Sequence, residues 1–304
     1  MFVLVLAVLS AFAQDRGARP EDSSFVNEEE VYEPPPKDRL FYTNATYVRV
    51  NPLGLVNLHR VGWRRRLSTS DSLLKKDTYV FVGPGVTLTP AWARGGLYGE
   101  AQLLAIFRVF AQIDGAGYFG TFDQLLAFDG SDRFSDDAIE ARGDEARAAG
   151  GWLATTGATV RAKVGPIAVR NTTSFMYMDL DVRGGTHFYD QLSDRLVQDK
   201  SWVVLNDADV LYVNGKLRTG VRHTVTDGLA GGTEEGDIAQ HRVGPLFAWQ
   251  FDDKKPRASF NQPTLFVLAQ WWVQHPYRTG NEQPQALPLV AVGFAFNGDH
   301  WTSN

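Results

Sequence analysis

From Leu97 to Ile113 every second position is apolar or glycine, and the polar residues fall between. Leu97, Gly99, Ala101, Leu103, Ala105, Phe107, Val109, Ala111 and Ile113 are all apolar or glycine, and Tyr98, Glu100, Gln102, Arg108 and Gln112 fall between them. A period of two marks an extended strand, and one wholly apolar face over that length means that side meets a continuous nonpolar medium. Leu103, Leu104, Phe107 and Phe110 also fit helical spacing, but Gly95, Gly96 and Gly99 count against a helix.

The same test along the chain predicts about ten strands: 54–66, 77–89, 93–113, 151–164, 167–181, 202–213, 217–226, 240–252, 264–275 and 286–297. Leu217, Val221 and Val225 oppose Arg218, Arg222 and Thr224. Val243, Phe247, Trp249 and Phe251 oppose Gln240, Arg242 and Gln250. Residues 40–50 alternate as well and are left open as an extra strand, a bulged start to the first strand or an inserted plug. The expectation is an all-β, antiparallel transmembrane β-barrel of about ten strands, with ten to twelve as the range.

The connections support it. Residues 89–91, Gly165-Pro166 and Asn214-Gly215 read as tight turns, and 68–76, 114–150, 183–201, 227–239 and 276–285 as long loops. Short and long alternate, which expects tight periplasmic turns opposite longer outer loops, with both termini on the periplasmic side. Strands this long suit a tilted membrane crossing better than the short strands of a soluble sandwich or propeller. Trp63, Trp92, Trp152, Trp202, Trp249, Trp271 and Tyr277 near strand ends or on outward faces suit an aromatic girdle.

Composition adds limits. A net charge of -5 argues against a nucleic-acid partner, and the absence of Cys removes disulfides, thiolate metal sites and cysteine nucleophiles. Residues 1–13 are apolar and end in Ala11-Phe12-Ala13, an expected export signal without the usual basic start. Residues 14–39, with Glu28-Glu29-Glu30 and Pro34-Pro35-Pro36, read as a disordered acidic linker, leaving 40–304 for the barrel.

If apolar faces look outward, Glu100, Arg108, Arg161, Lys163, Arg170, Arg218, Arg222 and Arg242 line the lumen, with Asp207 and Asp209 as further pairing partners. Two readings follow: a salt-bridged filling, or a small pore whose cations favour anions. No G-x-S-x-G, H-E-x-x-H or phosphate-loop motif occurs, and no catalytic residue, metal or cofactor is assigned. His187 with Asp190, or His275, are the candidate bases for a hydrolase on the barrel rim. The acidic loop 114–150 lacks calcium-loop spacing. Asn44-Ala45-Thr46 and Asn171-Thr172-Thr173 match the glycosylation sequon, and a bacterial reading makes both incidental.

On the signal end, the alternation, the loop asymmetry and the aromatic last strand Val290-Ala291-Val292-Gly293-Phe294-Ala295-Phe296, the stretch 54–297 resembles bacterial outer-membrane β-barrels as a class. The resemblance implies outer-membrane location, with lipid, lipopolysaccharide and the barrel assembly machinery as partners. The assembly signal is usually a terminal aromatic residue; here the chain continues past Phe296 and Trp301 to Asn304. The expected function is a small passive channel or structural surface protein with a cationic lumen. A rim hydrolase and a soluble, secreted, ligand-binding β-protein are the alternatives.

Overall fold

The structure, a computed structural model, describes residues 36–70, 72–75, 78–122, 126–130, 132–229, 238–251, 260–279 and 287–303. The signal at 1–13 and nearly all of the linker lie outside them. Twelve strands close a meander barrel: β1 (Asp38–Val50), β2 (Gly54–Arg66), β3 (Tyr79–Leu88), β4 (Trp92–Leu104), β5 (Phe107–Phe119), β7 (Ala148–Val164), β8 (Ile167–Leu180), β11 (Ser201–Asn214), β12 (Leu217–Gly228), β13 (Gln240–Gln250), β14 (Asn261–Gln274) and β15 (Leu289–Ser303). Each pairs antiparallel with its neighbours in sequence, and β1 closes on β15 from Asp38↔Ser303 to Val50↔Val290. Closure removes the free edges that an open sheet would offer for aggregation. Three short strands, β6 (Ala127–Phe128), β9 (His187–Asp190) and β10 (Arg195–Gln198), form a separate sheet, and α1 (Asp136–Glu140) lies in the same loop as β6.

Twelve strands stand at the top of the expected range of ten to twelve, and two local facts account for the two beyond the ten read directly. Residues 40–50 belong to a full strand, β1. Residues 93–113 are not one strand but most of the β4–β5 hairpin, turning at Ala105-Ile106. The turn pairs Leu104↔Phe107, and a bulge between Gln102 and Leu104 shifts the register so that Gln102↔Arg108 and Leu97↔Ile113 share parity, which carries the period of two from one strand to the next. The turn also lacks Gly, Pro and Asn; β7 and the β2–β3 connection hold it instead, through Arg161 N–H to Ile106 O and Ala105 N–H to Leu74 O, each at 2.9 Å.

Both ends of the barrel ladder lie at one end, together with 67–78, 251–260 and the two-residue turns at 105–106, 165–166 and 215–216. The opposite end carries the longest connections, 120–147 and 181–200, with 229–239, 275–288 and the short turns 51–53 and 89–91. The connections around 68–76 and 89–91 therefore exchange ends relative to expectation, because β1 and the split hairpin each add a crossing.

Neighbouring residues on a strand look to opposite sides, and the barrel is apolar outside and polar inside. Val221 is 49% exposed and the adjacent Arg222 0%. Outward side chains Val86, Leu97, Ile113, Val160, Val169, Val210 and Val292 continue the apolar belt around the circumference. Trp63 and Trp249 face outward toward the end bearing the chain termini, and Trp152, Trp202 and Trp271 toward the long-loop end. Trp152, Tyr177 and Trp202 form a ring-to-ring run, with centroids 5.2 and 5.4 Å apart. Trp92 and Tyr277 depart from the girdle and are buried: Trp92 fills the barrel interior, and Tyr277 packs under the loops.

Candidate functional site

An eight-stranded barrel is about filled by its own inward side chains, so a twelve-stranded one needs larger filling or stays open. Here the filling is large. Arg49, Arg64, Arg94, Arg108, Arg170, Arg218, Arg222 and Arg242 are buried inside the wall with Asp114, Asp207 and Asp209. Among them lie Tyr47, Trp92, Phe266 and Trp272. A Cβ on Gly293 would meet the Phe266 ring at 2.3 Å and Tyr47 at 2.6 Å, so only glycine lets both rings lie there.

Two carboxylates organise the wall. Glu100 on β4 accepts from Tyr79 and Tyr98 hydroxyls at 2.6 Å each and from Arg108 Nη1 at 3.4 Å. Arg108 also donates to Thr159 on β7 at 3.2 Å. The Arg64 guanidinium lies 3.5 Å from the Tyr79 ring centroid, and Arg60 lies 3.4 Å from that of Tyr98. Across the barrel, Asp209 accepts from Arg222 at 2.6 and 3.0 Å and also from Arg170. Beside it Thr224 donates to Asp207 at 2.7 Å, and Gln270 donates to Thr224 at 3.0 Å.

The long loops build a cap in the mouth. Leu126, Phe128, Phe134, Tyr189, Leu196 and Tyr277, from three connections, form its buried core. Below it Phe188 and Val197 pack on Leu153, Met178, Leu180 and Val203 of the wall, and Leu192 joins the interior apolar cluster. Arg49 of β1 donates to the carbonyls of Gln191 and Leu192 at 2.7 and 3.3 Å.

Asp194 and Arg278 are the cap's hub. Asp194 accepts from Tyr189 Oη at 2.7 Å and from Arg278 Nε and Nη2. Arg278 also reaches Asn51 in the β1–β2 turn at 2.6 Å and Asp136 on α1 at 2.9 Å. One guanidinium thus ties four connections together. His275 Nδ1 accepts from the Tyr277 and Arg278 amides at 3.1 and 3.0 Å, which puts its proton on Nε2, facing the Asp194 carbonyl at 3.0 Å. Burial alone would raise the Asp194 pKa, but His275 and Arg278 bring it down to about 2. Burial lowers the His275 pKa, against the pull of Asp194. Burial, then Asp194, pushes the Tyr189 phenol well above its usual range.

The residues expected from sequence fall as follows. Arg108, Arg170, Arg218, Arg222 and Arg242 are buried on the inner face, and Glu100 is paired there as described. Arg161 is half-buried near the turn end, donating to Ala105 O at 2.7 Å, and Lys163 is exposed beyond it. His187 and Asp190 are not brought together. His187 Nδ1 meets Thr186 Oγ1 at 2.9 Å, while Asp190 accepts from Ser193 Oγ at 2.6 Å and from the Ser193 amide at 3.0 Å. Both nitrogens of His275 are committed, whereas His187 Nε2 is buried with no hydrogen-bond partner among the described residues. Sequence reading missed Arg49, Arg60, Arg64 and Arg94, although their spacing beside outward Val48, Trp63 and Ala93 carries the signal. Asp194 and Arg278 carry no such signal. Among the described residues no group of His, Asp and Glu could hold a metal ion, and no helix is long and apolar enough to cross a membrane, which says nothing of a barrel.

No family model matches the chain, and no curated protein matches it. Solved structures that match are bacterial outer-membrane β-barrels. The autotransporter NalP translocator domain of Neisseria meningitidis is 11% identical, covering 98% of this chain and 93% of its own, with a TM-score of 0.39. The transport unit of autotransporter AIDA-I of Escherichia coli is 8% identical, with 96% of each chain covered and a TM-score of 0.36. OmpF of Salmonella typhi is 10% identical, covering 88% and 99%, with a TM-score of 0.35. The barrel assignment stands on the chain's own strand ladder.

Proposed function

We propose that the protein is an integral bacterial outer-membrane β-barrel forming a small channel for anions, closed at rest by its own outer loops. Lipid and lipopolysaccharide then surround the apolar belt. Strands of about thirteen residues tilted by about 40° rise roughly 33 Å, enough for an apolar band of about 25 Å. A belt this extensive is far larger than the apolar patches soluble monomers expose. Outward Phe294 and Phe296 on the last strand are the residues we assign to the barrel assembly machinery.

The observation that carries the channel reading is the excess of buried donors in the lumen beneath a cap built from the outer loops. Eight buried wall arginines face three buried aspartates and Glu100. Arg242 Nη1, Tyr47 Oη and Trp272 Nε1 are buried donors with no hydrogen-bond partner among the described residues. Anions are the ligands that such a lining stabilises. The cap is held by loop side chains and by side-chain contacts to the wall such as Arg49 and Gln240, all outside the strand ladder, so it can leave without unzipping the barrel.

Conductance in planar bilayers tests this. The wild type should be almost silent, and Arg278→Ala should give frequent, anion-selective steps. A silent Arg278→Ala whose loops have become protease-sensitive contradicts the channel and leaves the second reading, a filled structural surface barrel. The nearly complete burial of Arg222, Thr224 and Gln270 favours that alternative.

A further inference from the structure

Besides the stacked His223–His241 pair on β12 and β13, the outer belt carries two polar clusters that are alike. On β1 and β2, Asn57 Nδ2 donates to Thr46 Oγ1 at 2.7 Å and to Asn44 Oδ1 at 3.4 Å. On β8 and β11, Asn206 Nδ2 donates to Thr173 Oγ1 at 2.7 Å and to Asn171 Oδ1 at 3.0 Å. In each, an Asn-x-Thr on one strand meets an Asn directly across from the Thr: Thr46↔Asn57 and Thr173↔Asn206. These are the two sequons of the sequence. Their asparagines sit on the outward face at mid-strand, where no glycan could be attached or accommodated.

Strand order places the triads on opposite sides of the barrel. Between them lie β3, β4, β5 and β7 one way round and β12, β13, β14 and β15 the other. On the proposed membrane reading, on which this inference rests, both triads face acyl tails that offer no hydrogen bonds. Internal pairing does not exhaust them. Asn44 Nδ2 donates to nothing and Asn57 Oδ1 accepts nothing among the described residues, and Asn171 uses one N–H, on Asn206 Oδ1 at 3.1 Å. At the β8–β11 triad Asn206 Oδ1 is taken by Asn171, so that triad keeps a spare Asn171 N–H and the β1–β2 triad keeps the free acceptor Asn57 Oδ1. The β8–β11 triad of one copy is therefore suited to the β1–β2 triad of the next.

We propose that a second copy of this chain docks laterally against each triad, so that barrels associate side by side in the membrane. Because one copy carries two such faces half a turn apart, the association propagates as a row in the membrane plane and does not close as a pair.

The natural absence of Cys makes the test direct. Cysteines at Thr46 and Thr173 are introduced singly and together, the membranes are oxidised, and the products are separated after denaturation. The double variant should give a ladder of dimers, trimers and larger species, and Leu97→Cys, a quarter turn away, should stay monomeric. Either single variant should stay monomeric, because its one cysteine faces the other triad of the next copy, and dimers from it would overturn the pairing of unlike triads. Adding Asn57→Leu and Asn206→Leu should cut the ladder at least tenfold. A ladder that survives those changes, or products no more cross-linked than Leu97→Cys, overturns the proposal. Heat-modifiable migration checks folding, and Val48→Cys with Phe175→Cys replaces any variant that fails it. Recovery of the protein in the soluble fraction contradicts the membrane reading, whereas monomers in the membrane fraction contradict only this inference.

Discussion

Two parts of the molecule hold a buried carboxylate with arginine, and they do so on different foundations. Asp209 is gripped by Arg170 and Arg222, all three on adjacent strands of the hydrogen-bonded ladder. Asp194 is gripped by Arg278, and both stand on connections outside the ladder. In the wall, geometry is fixed by the sheet and the ion pair only fills it. In the cap, the ion pair is a large part of what fixes the geometry. The same chemistry is permanent in one place and releasable in the other.

The largest effect expected is at the wall. Arg222→Ala leaves Asp209 with one partner in a site closed to water, which costs about 3–5 kcal/mol. Urea titration followed by heat-modifiable migration should show the whole barrel weakened, and a loss below about 1 kcal/mol would mean water reaches Asp209. Arg278→Ala comes next, at about 2–3 kcal/mol, and its effect should be local. Trypsin should cut the cap about thirtyfold or more faster while the barrel midpoint hardly moves. Equal weakening of barrel and cap would erase the distinction drawn here.

Acid should sharpen the contrast by a smaller amount. His275 is neutral in the closed cap, with its pKa pushed down by burial, and Asp194 favours its charge while Arg278 and Arg242 oppose it. An opened cap frees the ring to titrate near 6.5. Closure is therefore undiminished above pH 6.5 and weakens as the pH falls below it, down to the lowered pKa of the closed form. The slope is at most about 1.4 kcal/mol per pH unit. Cap proteolysis measured from pH 7.5 to 5 should accelerate in the wild type and lose that dependence in His275→Gln.

Much of the wall is legible in the sequence, because alternation alone says that Arg222 looks inward when Val221 and His223 flank it. The split of 93–113 is hidden for the same reason: a bulge beside the two-residue turn restores even register and keeps the apolar positions in phase on both strands. Which cation meets which anion is also hidden, since it depends on pairing such as Asp209↔Arg222 that only register supplies. The cap is hardest to foresee. Arg278 and Asp194 are ordinary loop residues until three connections fold against one another, and Trp92 and Tyr277 look like girdle aromatics until that interior exists.

The central claim is that apolar side chains look into lipid and charged ones into the lumen. Single cysteines at Val221 and Thr224, labelled with a fluorophore and reconstituted with brominated lipid, test it on one strand. Strong quenching at position 221 and little at 224 is the predicted result. Quenching of 224 with 221 protected, or of neither, would contradict the inside-out barrel and everything built on it.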